Sequence, residues 1–167
     1  MDIRQIAFET PLMQESHYIE RWKAWITVRE LSGEERAELL QKSTDMIKKG
    51  NTTEARVNLK KLYPMLAILT TRYPDPACPP HDNHPHSSEF PGLKNSLGEY
   101  ITQPAEKAGE LVFSPTDIGP LNKTSGAILE QISQIAAPMS GLRPEDVEEK
   151  KEGLNGAIVE SDSYTFA

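Results

Sequence analysis

The sequence predicts a mainly α-helical fold, a small helical domain with a short N-terminal β-strand region and a long proline-rich central loop. Three observations lead there. Trp22, Ala24, Ile26 and Val28 alternate with Arg21, Lys23, Thr27 and Arg29, which is the period of two of a half-buried strand, with Trp25 as the one apolar intruder. At Ser32–Glu35 that period gives way to a helical one, which recurs to about Leu66 and again from Leu121 to Met139. Between those stretches, residues 73–110 are interrupted by Pro74, Pro76, Pro79, Pro80, Pro85, Pro91 and Pro104.

At 167 residues, the chain suffices for one domain with flexible ends. We expect an N-terminal arm over 1–18, a helical domain over 19–153 interrupted by the 73–110 loop, and a flexible tail over 154–167. The arm, with Ile3, Ile6 and Phe8, has no sustained period and reads as loosely attached.

Ser32 followed by Glu35 is a capping box, in which each side chain satisfies an otherwise orphaned backbone N–H. A helix is expected to follow, with Ala37, Leu40, Thr44 and Ile47 on one face, Lys48 and Lys49 at its negative end and Gly50 closing it. Asn51 and Glu54 repeat the capping pattern, and Ala55, Leu59, Leu62 and Leu66 outline a second helix packed back on the first. Pro64 is expected to end or kink that helix near Tyr63. The apolar run 65–71 fits either a further helical turn or a strand; we read helix.

The 73–110 segment has few large apolar residues, so it is expected to be mobile and dispensable for folding. Order returns at Leu111-Val112-Phe113. Ser114, Pro115 and Asp117 make one short capped turn, interrupted by Gly119-Pro120. Leu121, Ser125, Ile128, Ile132, Ile135 and Met139 then form a helix-packing seam, read as core and closed by Ser140-Gly141. Pro144 opens an acidic helix that ends at Gly153.

Composition bounds the function. A net charge of −7 argues against autonomous binding to a nucleic-acid backbone, which calls for a cationic footprint. No apolar run reaches the ~20 residues a membrane span requires, and the first residues lack the pattern of a secretory leader. Cys78 is the single cysteine, consistent with a reducing cytosol.

The sharpest chemical candidate is Cys78, His81, His84 and His86. C-x-x-H is a spacing that zinc sites use. However, a proline splits His84 from His86, and no second ligand pair lies elsewhere in the chain. We therefore read the cluster as exposed and incidental, with a metal-dependent regulatory module as the alternative, and expect neither metal nor cofactor. No P-loop, HExxH, nucleophile elbow or dinucleotide turn is present, so we expect no enzyme. Glu34 and Glu35 favour a helix dipole, which explains them without catalysis. Trp22 and Trp25 fall on opposite strand faces, so one layer cannot bury both. The second is covered by the arm, by the helices or by a partner, tryptophan being enriched at binding hot spots. Arg56 and Lys60, with Lys61, crowd one face of the second predicted helix; such a face is usually just solvated, with an acidic partner as the alternative.

The stretch WKAWITVRELSGEER running into a polar-rich helix resembles the tail assembly chaperones of long-tailed bacteriophages. Leu111-Val112-Phe113-Ser114, Asp117-Ile118 and Ser140-Gly141-Leu142 extend the likeness, which covers Trp22 to about Gly153 apart from the central insertion. The resemblance implies phage tail morphogenesis in the host cytoplasm. Members bind the long hydrophobic tape measure protein, keep it soluble, help recruit tail tube protein, and leave before the virion is finished. The other reading is a minor structural component of the tail or head that stays in the particle. Self-association is left open.

Overall fold

The computed structural model describes residues 2–81 and 83–142. The acidic helix expected from Pro144 and the 154–167 tail lie outside the described residues. Among the described residues the chain forms α1 (Ile3–Glu9), β1 (Gln14–Ile19), β2 (Ala24–Arg29), α2 (Gly33–Ser43), β3 (Thr44–Lys49), β4 (Thr52–Val57), α3 (Leu59–Thr70), β5 (Thr71–Arg72), α4 (Ile118–Asn122) and α5 (Gly126–Met139). The strands build two antiparallel sheets, β1-β2-β5 and β3-β4. The fold is therefore mixed α/β, which corrects the mainly α expectation.

The largest correction falls on residues 44–57. The capping box of Ser32 and Glu35 is present, with the Glu35 N–H donating to Ser32 Oγ at 3.2 Å and the Ser32 N–H to Glu35 Oε2 at 2.8 Å. The helix it starts stops at Ser43, having buried Leu39 and Ser43 and left Ala37 and Leu40 outside. Thr44–Lys49 and Thr52–Val57 then form a hairpin, in register from Thr44 opposite Val57 to Lys49 opposite Thr52. Gly50 takes φ +60 and is the only residue of the Gly50–Asn51 turn at positive φ, the type II′ arrangement whose twist suits paired strands. A helix cap and a hairpin turn both want glycine at positive φ, so Gly50 satisfied either reading. The β-branched Thr44, Thr52, Thr53 and Val57 favour the strands.

Asn58 starts α3 instead of Asn51. Its Oδ1 accepts from the Lys60 N–H at 3.0 Å, while its Nδ2 donates to Asp45 Oδ2 at 2.8 Å. Lys61 Nζ reaches Asp45 Oδ1 at 2.5 Å, so hairpin base and helix start are bonded together. Pro64 does not end α3. The helix runs on to Thr70 because Met65, Leu66, Ala67 and Ile68 are all buried beyond the ladder bond that the proline forgoes.

The strand β2 is central in its sheet, and both of its faces are covered. Ile26 and Val28 join Ile19, Leu39, Leu62, Leu66, Leu121, Ile128, Ile132 and Ala136 in the main core, beneath α2, α3, α4 and α5. Trp25 and Thr27, on the alternate positions, are buried as well. Trp25 is thus no intruder on a solvent face but the anchor of a second packing layer, while Ala24 is exposed. The arm also divides. The helix α1 buries nothing, whereas β1 pairs with β2 along its whole length and buries Ile19.

The second layer is the 73–110 segment. Its described residues hold the 3-10 turn Ser87–Glu89 and an antiparallel bridge between Lys94 and Tyr100. Although Leu97, Tyr100 and Ile101 are exposed, the part up to Phe90 is pinned to the sheet. Phe90 is 1% exposed. The Asp75 N–H donates to Thr27 Oγ1 at 3.1 Å and Ser16 Oγ donates to the Cys78 carbonyl at 2.6 Å. The segment leaves and rejoins at β5, where the Tyr73 N–H meets the Glu110 carbonyl and the Val112 N–H that of Thr71. Gly92, at φ +81, passes so close to Pro76 that an added Cβ would lie 2.5 Å from Pro76 Cγ. Few large apolar residues suffice here because the sheet supplies the other half of the contact.

At the C-terminal end, α5 buries Ile128, Leu129, Ile132, Ser133 and Ala136. It ends in a Schellman motif, the Leu142 N–H bonding the Ala137 carbonyl and the Gly141 N–H that of Pro138. Gly119 and Pro120 lie inside α4 and do not interrupt the chain's helical course. Among the described residues, no helix is long and apolar enough to cross a membrane.

Candidate functional site

The four-residue connection Glu20–Lys23 between β1 and β2 turns tightly, with the Trp22 N–H bonded to the Ile19 carbonyl and the Lys23 N–H to that of Glu20. Lys23 sits at φ +49, a left-handed conformation uncommon for a residue with a side chain. That turn sets Trp22 at the rim of the sheet, half-buried, with its ring edge-on to Phe113 at 6.3 Å.

Beside it lies a half-open, mainly apolar groove of about 430 Å³. Tyr18, Trp22, Trp25, Tyr73, Pro91 and Val112 contribute to its walls, and Lys23 and Glu89 bring one charge of each sign. Strand β2 supplies Ala24 and Ile26, the 73–110 segment supplies Pro74 and Pro91, and neither could form the groove alone.

Aromatic rings brace this groove from behind. Tyr18 stacks on His86 with centroids 4.1 Å apart and planes 12° from parallel. Trp25 meets Tyr18, His84 and Phe90 edge-on at 5.5, 4.9 and 5.5 Å. The two carboxylates Glu89 and Glu20 lie 3.1 and 3.9 Å from the nitrogens of His86. Burial, then the negative charges of Glu89 and Glu20, push the Tyr18 hydroxyl above its ordinary range.

Of the residues singled out from sequence, Trp22 and Trp25 both reach this groove, in unequal ways. Trp25 is 6% exposed and acts as a structural wall, leaving Trp22 as the accessible ring. Arg56 and Lys60 are exposed but do not line the groove; Arg56 is on β4, 3.1 Å from Glu54, and Lys60 is in the first turn of α3. They lie on separate elements, not on the one helical face expected.

The residues Cys78, His81, His84 and His86 are not gathered around a common point. Among the described residues no three His, Cys, Asp or Glu side chains converge as metal ligands would. Cys78 Sγ lies 3.3 Å from the Gln14 carbonyl, and His84 and His86 are engaged with Tyr18 and Trp25. His81 is exposed.

Sequence reasoning missed Tyr18, Tyr73, Glu89 and Pro91. Tyr18 carried a signal, because it precedes a buried Ile19 at strand spacing. The other three meet Trp22 only through the fold of the long segment, which no local pattern encodes. No family model, no curated protein and no solved structure matches this chain.

Proposed function

We propose that this chain is a tail assembly chaperone of a long-tailed bacteriophage, acting in the host cytoplasm on the tape measure protein and promoting tail tube assembly. Trp22, at an apolar groove lined by the WKAWI part of the stretch that carries the family resemblance, is the observation that supports this most. The segment is a tightly bonded unit. Strand β2 ends at Arg29, whose Nη2 lies 2.5 Å from Glu35 Oε1 across the capping box, and Leu31 is buried between them.

A chaperone of this kind works by covering apolar surface, not by chemistry. Aromatic walls around Trp22 accept apolar side chains of an amphipathic client helix, and Lys23 and Glu89 give the rim polar contacts that need no fixed sequence. Each contact is weak, and many copies along one long client give avidity. The chain's charge of −7 opposes aggregation of such a complex.

Quantitative mass spectrometry of infected cells and of purified particles tests this. The expected result is abundant chain in the lysate, co-purifying with tape measure protein, and none in mature virions. A stoichiometric amount in the virion would replace the proposal with a minor structural component of the tail or head.

A further inference from the structure

Among the described residues the hairpin β3-β4 stands as a two-stranded sheet, with no third strand paired to β4 on its outer side. Such an edge carries a row of free backbone donors and acceptors. Which residues of β4 supply them follows from the ladder. The Asn58 N–H donates to the Ser43 carbonyl at 2.7 Å, and the two-residue turn makes Lys49 and Thr52 a bonded pair. Bonded pairs alternate along an antiparallel ladder. Thr52, Glu54 and Arg56 therefore bond inward to β3, and Thr53, Ala55 and Val57 turn their N–H and C=O groups outward.

We propose that β4 pairs antiparallel with β4 of a second copy, about a two-fold axis at Ala55, to give a dimer with a continuous four-stranded sheet. In that register Ala55 opposes Ala55 and Thr53 opposes Val57, so every outward group meets an outward group. Glu54 then faces Arg56 of the second copy, twice by symmetry. These are the non-bonded positions of the ladder, where opposite side chains come closest.

The charge order also rejects the neighbouring registers. Moving the axis to Glu54 sets two carboxylates face to face, and moving it to Arg56 does the same to two guanidinium groups. A shift by one residue sets inward groups against outward ones. Strand β4 has neither a proline nor a bulge to block its edge, and its two charges are of opposite sign. The opposite edge, on β3, is less suited. Asp45, the sole acidic side chain there, is committed to Asn58 and Lys61, so that edge offers no complementary pair to a second copy. Within one copy Glu54 holds Lys49 at 3.3 Å and Arg56 at 3.1 Å, and these exposed pairs exchange at little cost for the pairs across the dimer. Docking a client at Trp22 plays no part in this contact.

Sedimentation equilibrium on the full chain, without any client, tests the proposal. Wild type is expected to be a dimer. Glu54→Arg and Arg56→Glu each turn two attractive pairs into repulsive ones and should weaken the dimer at least about tenfold. The double exchange E54R/R56E restores both pairs and should restore the dimer. Ala55→Pro removes an outward N–H that β3 does not use, so it should give monomer with unchanged far-ultraviolet circular dichroism. A monomeric wild type, single variants that dimerise normally, or a double exchange that fails to recover would each overturn the proposal.

Discussion

The indole N–H of Trp25 donates to the carbonyl oxygen of His86 across 2.9 Å, tying the central strand of the sheet to the middle of the proline-rich segment. Sixty-one residues separate the two in sequence. The bond sits between Phe90, packed on one edge of the indole, and the Tyr18–His86 stack. Trp25→Phe should keep most of the packing and lose the bond, at about 1 kcal/mol. Trp25→Ala should cost ~3–5 kcal/mol in urea unfolding. Equal effects would mean that the bond, not the ring, carries the contact.

The 73–110 segment should behave as part of the folded domain. Phe90 is as buried as the strand residues it covers, so limited proteolysis of the wild type should spare the residues around it. Phe90→Ala should expose them and cost ~3–5 kcal/mol. Rapid cleavage of the wild type beside Phe90 would contradict this packing.

The helix α5 contributes a large, fully buried side chain to the main core. Ile132 is fully buried, and Ile132→Ala should cost ~2–5 kcal/mol. Ile135, one turn on and only half-buried, should cost distinctly less. Comparable losses at the two positions would place the helix in a different rotation.

Acid should loosen the β2–α2 junction. Burial pushes the Glu35 carboxyl up, but the Ser32 backbone N–H and the Arg29 guanidinium outweigh it and hold the group below its ordinary range. A depressed carboxylate contributes stability that is complete above the unfolded-state range and is lost as pH falls through the folded-state value. Glu35→Gln should therefore destabilise the protein at neutral pH and flatten the acid limb of its stability curve. An unchanged acid limb would remove Glu35 from the account of acid sensitivity.

Much of the helical layer was legible in the sequence because its signals are local. The Ser32–Glu35 box, the Ser114 turn and the Ile128–Ile132 spacing each lie within one or two turns of chain. The β3-β4 hairpin was misread because Gly50 suits two structures, and the choice between them rests on cross-strand partners such as Thr44 and Val57. The groove was half legible. Trp22 and Trp25 drew attention by type, but their unequal burial depends on Phe90 and His86, which arrive from a segment with no periodicity. Long-range partners of irregular backbone leave no pattern in a single sequence.

The most direct test of the proposed function is co-expression of this chain with its proposed client, a tape measure protein, reading the fraction of that client in the supernatant. Wild type should move the client from pellet to supernatant, in a complex with several copies of this chain. Trp22→Ala should lose most of that rescue. The half-buried ring packs against the main core as well as edge-on to Phe113, so the variant should also lose ~2–4 kcal/mol of stability, and its own soluble, folded fraction is the control. A client that stays insoluble at every ratio, or a Trp22→Ala chain that rescues it as well as wild type, would contradict the assignment of this groove to client binding.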